Sequence, residues 1–124
     1  MTLLSAFFLS ALALGQGTTD AITPDLAVIS ARLDDCSADF VVKEATGEPA
    51  YAAIVHVRIR YGFLSIKRMD LEVGTNSDGK ARVEGLPRKA RPLVYEISKA
   101  DKTAQVEQDL STTCHAKFEV SLPR

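Results

Sequence analysis

The sequence predicts an all-β protein, a single antiparallel β-sandwich of seven to eight short strands. Three observations lead there. Apolar and polar residues alternate with period two in one run after another, the pattern of strands with one buried and one wet face. The runs recur about every ten residues and are punctuated by Gly, Pro, Asn and Asp. Past residue 25, no stretch sustains the spacing of an amphipathic helix.

Each element follows from the same reading. Ile29, Ala31 and Leu33 alternate with Ser30, Arg32 and Asp34, and Phe40 and Val42 form a second run closed by the turn Thr46-Gly47-Glu48-Pro49. Val55, Val57 and Ile59 alternate with His56, Arg58 and Arg60. Met69, Leu71 and Val73 alternate with Asp70 and Glu72 and stop at Asn76-Ser77-Asp78-Gly79, a strong hairpin signal. Ala81 and Val83 lead to Gly85-Leu86-Pro87. Pro87 and Pro92 keep the basic segment between them out of any central strand, so Arg88, Lys89 and Arg91 belong to an exposed loop. Leu93, Tyr95 and Ile97, then Ala104 and Val106, lie on either side of a turn at Asp101-Lys102. The last run is Ala116, Phe118, Val120 and Leu122.

A chain of 124 residues supports one such domain and no cleft between lobes. Fifteen Lys and Arg against sixteen Asp and Glu leave a formal charge of −1, a balance that calls for neither nucleic acid nor an anionic membrane as obligatory partner. With no Trp, two His and two Cys, a zinc centre built from several Cys and His ligands is not expected, nor is any cofactor.

Residues 1–15 carry no charged side chain, and the apolar block from Leu3 to Leu14 is twelve residues long. That is short for a membrane span, which takes about twenty, and suits the hydrophobic region of a signal peptide. Ala13, Gly15 and Gly17 offer cleavage after Gly15 or Gly17, although no Lys or Arg precedes the block. The expected organisation is a signal peptide over 1–17, a linker over 18–25 and the sandwich over 26–124, with no membrane span in the mature chain. A buried N-terminal helix is the alternative. The expected location is secreted or periplasmic.

Export makes Cys36 and Cys114 most simply a disulfide. Closing a loop of 78 residues would stabilise a small domain by roughly 4–5 kcal/mol on the chain-entropy account; two free thiols are the alternative. Residues 36–42 and 114–120 share Cys, Ala, Phe and Val at identical offsets, which reads as two strands in the same inward register. His115 follows Cys114, but in an extended strand neighbouring side chains point to opposite faces, so the two are not expected to meet.

The residues from Val42 to Pro49, Ala53-Ile54-Val55-His56-Val57, and the hairpin from Thr75 through Asp78-Gly79 to Gly85-Leu86-Pro87 resemble the carboxypeptidase-regulatory-like (prealbumin-like) sandwich domains. The resemblance covers about half of the mature chain and implies an immunoglobulin-like or prealbumin-like fold more firmly than any activity. Related sandwiches with known chemistry do not fit well. The tail Ser121-Leu122-Pro123-Arg124 departs from that of the transthyretin-like hydrolases. Intradiol dioxygenases hold iron with two Tyr and two His, and the spacing of Tyr51, Tyr61, Tyr95, His56 and His115 does not match. A Lys–Asn isopeptide has only Asn76, in a turn, to use; an Asp such as Asp109 would be the alternative partner for Lys43.

Two loops are candidate interaction sites. Tyr61-Gly62-Phe63-Leu64 places two aromatics and a Leu between strands, where they either face solvent as a contact device or fold back over the end of the sandwich. Arg88, Lys89 and Arg91 form the second. His56, Arg58 and Arg60 share an outward strand face, with Lys67 and Arg68 further on; pairing with Asp70, Glu72 and Glu84 is the expectation, gripping an anionic partner the alternative. No nucleophile–His–acid set is visible. The expected function is a non-catalytic exported module with a structural or protein-interaction role at the cell envelope or outside it. A carbohydrate-binding module is the alternative, followed by a small transthyretin-like hydrolase.

Overall fold

The computed structural model describes residues 25–124, so the expected signal peptide and all but the last residue of the linker lie outside the described residues. Eight strands form two four-stranded sheets: β1 (Ala27–Ser30), β2 (Cys36–Lys43), β3 (Ile54–Tyr61), β4 (Lys67–Gly74), β5 (Lys80–Leu86), β6 (Leu93–Lys99), β7 (Lys102–Gln108) and β8 (His115–Ser121). The sheet orders are β1-β5-β2-β8 and β4-β3-β6-β7.

Alternation does the sorting. Val55, Val57 and Ile59 of β3, Tyr95 and Ile97 of β6, and Ala38, Phe40 and Val42 of β2 are buried between the sheets, while the residues between them reach solvent or the sheet margins. Phe40, Tyr95 and Phe118 form an aromatic cluster linking the two layers, with centroids 4.8 to 5.8 Å apart.

One sheet departs from the antiparallel expectation. β4-β3-β6-β7 is antiparallel throughout, but β1 runs parallel to β5 and β2 parallel to β8. The second sheet is threaded between β2 and β8, so those two are joined by a long crossover rather than a hairpin. This explains the repeated spacing: Ala38 sits beside Ala116, Phe40 beside Phe118 and Val42 beside Val120. Cys36 and Cys114 continue that register and form a disulfide, their Cα atoms 4.7 Å apart. The bond staples neighbouring strands of one sheet. β1 is shorter than the alternation suggests, because Arg32 takes a left-handed φ of 57° and its N–H donates to Ser30 Oγ at 3.1 Å. Ala31 is nevertheless buried.

Two polar residues are built into the core. Thr75 accepts from the Ala53 N–H at 2.9 Å and donates to the Ala50 carbonyl at 2.5 Å, tying the β4–β5 hairpin to the β2–β3 connection. Gln108, only 2% exposed, accepts from the Tyr95 hydroxyl at 2.6 Å. Its amide donates to the carbonyls of Thr113 at 2.8 Å and Ser37 at 3.1 Å, joining the layers at the disulfide end. The hairpin turn forms as expected: Asn76 Oδ1 accepts from the Asp78 and Lys80 N–H groups, both at 2.9 Å, and Gly79 adopts a φ of 74°. A Cβ on Gly79 would collide with the Val42 carbonyl.

Candidate interaction surface at one end of the sandwich

The β3–β4 connection, the β5–β6 loop and the disulfide all lie at one end of the sandwich, because β3 finishes where β4 and β6 begin and Cys36 begins β2 beside Cys114. The β3–β4 connection is a single 3-10 turn over Phe63–Ser65, entered through Gly62 at φ 79°. The Ser65 N–H donates to the Gly62 carbonyl at 3.0 Å. Leu64 and Ser65 hold left-handed φ values of 58° and 55°, costing of order 1 kcal/mol each for side-chain-bearing residues. Phe63 is 83% exposed, Leu64 75% and Ile66 70%. Phe63 and Leu64 therefore face solvent and do not fold back; Tyr61 is the one that packs against the core. Ile66 went unnoticed in the sequence, although its parity is opposite to that of the inward residues Met69, Leu71 and Val73.

The charges near this tip divide into paired and unpaired sets. Arg58 donates to Asp70 at 3.1 Å and His56 Nε2 lies 3.3 Å from the same carboxylate, so the expected pairing holds for these two. The hydrogen bond from Arg58 holds the Asp70 carboxyl below its usual range. Arg60 and Arg68 instead sit directly opposite one another across β3 and β4. Neither has an ion-pair partner among the described residues, and the same is true of Lys67 and Arg91. Arg58, Arg60 and Arg91 line a shallow groove of about 270 Å³ with Pro92, Leu93 and Val94.

The β5–β6 loop is exposed as expected, yet its three cations are not equivalent. Arg88 donates twice to Asp35, at 2.8 and 2.6 Å, and lies 3.5 Å from Asp34. The hydrogen bonds from Arg88 hold the Asp35 carboxyl down, so this cation is engaged within the molecule. Lys89 is exposed beside the disulfide. Arg91 instead lines the groove it shares with Arg58 and Arg60.

A Ser–His contact emerges that sequence spacing did not show. Ser37 and His115 are partners across the parallel β2–β8 pair, with Oγ and Nδ1 2.9 Å apart. They border an open polar groove with Asp34, Asp39, Arg82 and Glu84. His115 Nε2 lies 3.9 Å from Cys114 Sγ, against the expectation that the two would not meet; Cys114 precedes β8 and is not bound by its alternation. No carboxylate hydrogen-bonds the ring to orient it, among the described residues. His56 and His115 face outward from different sheets, Tyr95 is buried in the core, Tyr61 ends β3 and Tyr51 is exposed in the β2–β3 connection, so these five candidate ligands do not converge. Asp35 lies near both cysteine sulfurs, but these are consumed by the disulfide. Lys43 pairs with Glu119 at one end of β2, whereas Asp109 accepts from Ser111 at the other end.

No helix among the described residues is long and apolar enough to cross a membrane. No family model matches the chain, and no curated protein sequence matches it. Among solved structures, the chain is similar to a chlorocatechol 1,2-dioxygenase from Pseudomonas putida, with a TM-score of 0.49 and 11% identity over 89% of this chain and 70% of that one. It is also similar to a mercury-inhibited catechol 1,2-dioxygenase from Acinetobacter sp. ADP1, with a TM-score of 0.45 and 13% identity over 78% of this chain and 57% of that one.

Proposed function

We propose that this chain is an exported, non-catalytic β-sandwich module, of the carboxypeptidase-regulatory-like kind, which makes its contacts at the cell envelope or outside it. The observation that carries the reading is the tip formed by Phe63, Leu64 and Ile66, three large apolar side chains held in solvent on a strained turn. Apolar groups kept exposed at a backbone cost mark a contact surface, since a loop with no such duty would shed both burdens. The disulfide suits an oxidising compartment. The residues behind the family resemblance fall on the β2–β3 connection, β3 and the β4–β5 hairpin, where Thr75 and Gly79 serve the fold.

The test is a photo-reactive residue placed at position 63 in living cells, with a second at exposed Thr103 near the far end as control. Cross-linked product, whether protein or lipid, is expected from position 63 and not from position 103. Equal product from both, or none from position 63, refutes the reading.

A further inference from the structure

The cations around the tip identify the chemistry it meets. From Arg58 to Met69 the chain carries four cations and no carboxylate. Register then places Arg60 against Arg68, a like-charge pair that disfavours the isolated hairpin and asks for an anion between or above them. Asp70 is already engaged by Arg58 and His56, and Glu72 and Glu96 lie further from the tip, beside His56. The outer face of the β3–β4 hairpin is thus graded from positive at the tip to negative beyond, which the net charge of −1 conceals.

We propose that this end of the sandwich docks on an anionic lipid surface. Phe63, Leu64 and Ile66 enter the region below the headgroups, while Arg60, Lys67, Arg68 and Arg91 meet the lipid phosphates. The inference rests on the interaction-module reading and names its partner. Arg60 and Arg68 each stand two residues back from Gly62 and Ile66, about 7 Å along an extended strand. That spacing matches the roughly 5–10 Å to which interfacial apolar groups are buried. A specific protein interface takes about 800 Å² per partner with a complementary, well-packed centre. A single protruding turn ringed by unpaired cations suits a fluid surface better. Insertion needs only a few apolar side chains, reinforced about fivefold by each basic residue near an anionic leaflet.

The chain contains no Trp, so Phe63→Trp puts a single indole at the tip of the full chain. Vesicles of phosphatidylglycerol and phosphatidylcholine in equal parts should shift its emission to the blue and allow quenching by brominated acyl chains. Adding Arg60→Glu and Arg68→Glu should weaken the partitioning at least about 25-fold, with an unchanged circular-dichroism melt showing that the fold survives. The proposal is overturned by no shift on these vesicles, by an equal shift on phosphatidylcholine alone, or by a shift indifferent to charge reversal. If the shift is absent while the position-63 cross-linker captures a protein in cells, the lipid partner is refuted and the module reading stands. If both are absent, both fall.

Discussion

Replacing Gln108 by Leu removes a buried side chain that satisfies a core hydroxyl together with the Thr113 and Ser37 carbonyls. The Tyr95 hydroxyl loses its acceptor at 2.6 Å and the Thr113 carbonyl its donor at 2.8 Å. At about 1–3 kcal/mol for each buried polar group left unsatisfied, and with little gained from an apolar side chain of similar size, the variant should lose about 3 kcal/mol. Tyr95→Phe alone leaves only the Gln108 Oε1 atom without its partner and should cost about 1.5 kcal/mol. Combining the two removes the orphaned hydroxyl altogether. The double variant should then be less stable than the parent by about 2 kcal/mol, well short of the sum. Urea unfolding followed by far-ultraviolet circular dichroism at neutral pH measures all three. Additivity within about 0.5 kcal/mol would show that Gln108 and Tyr95 act independently and would refute the account of how the layers are joined.

The other predictions concern the staple, the turns and the ionisable groups. Reduction of Cys36–Cys114 should lower the melting temperature by about 15 °C or more, from about 4.5 kcal/mol of chain-entropy stabilisation across 78 residues; a shift under about 5 °C in calorimetry would contradict it. Gly79→Ala should cost at least about 2 kcal/mol, since the left-handed backbone and the Val42 carbonyl both oppose a Cβ. Leu64→Gly should instead raise stability by up to about 1 kcal/mol in the same unfolding assay, while weakening whatever the tip contacts. Hydrogen bonds from Arg88, Arg58 and Lys99 lower the Asp35, Asp70 and Glu44 carboxyls from ordinary values of 3.8, 3.8 and 4.5. Their stabilisation is therefore complete above those values and is lost as pH falls through the depressed ones, so melting temperature should decline in acid below about pH 4.5, less steeply in Arg88→Gln. Burial raises the Tyr95 hydroxyl above its ordinary 10, so its contribution is intact below pH 10 and lost above; Tyr95→Phe should flatten that alkaline decline.

Alternation was enough to assign the inward residues of β3, β4, β6 and β8, because period two is a local property that each strand carries by itself. The same rule applied to β7 would have found Gln108, which shares the inward parity of Ala104 and Val106; its polarity hid it. Ile66 was obscured for the opposite reason, as an apolar residue on a polar parity. What the sequence did not display was pairing. That Arg60 faces Arg68, or that Ser37 meets His115, depends on which strands become neighbours and in which register, and those partners lie up to 78 positions apart. The matched Cys, Ala, Phe and Val of β2 and β8 did encode their register, yet the same match fits strands on facing sheets, and only the topology separates the two.

The adjacency of β2 and β8 also sets the order in which the chain can fold. The β3–β4 and β6–β7 hairpins pair residues close in sequence and can zip within microseconds, whereas β2 must wait for a segment separated from it by the entire second sheet. Slow closure of that seam leaves the flank of β2 that β8 will cover open for the longest time, with Phe40 partly uncovered beside it. Once Cys36 and Cys114 are joined, the two strands remain tethered through any later local opening, and re-pairing no longer has to search the full chain. The bond therefore shortens the interval in which an unpaired strand is offered to other molecules.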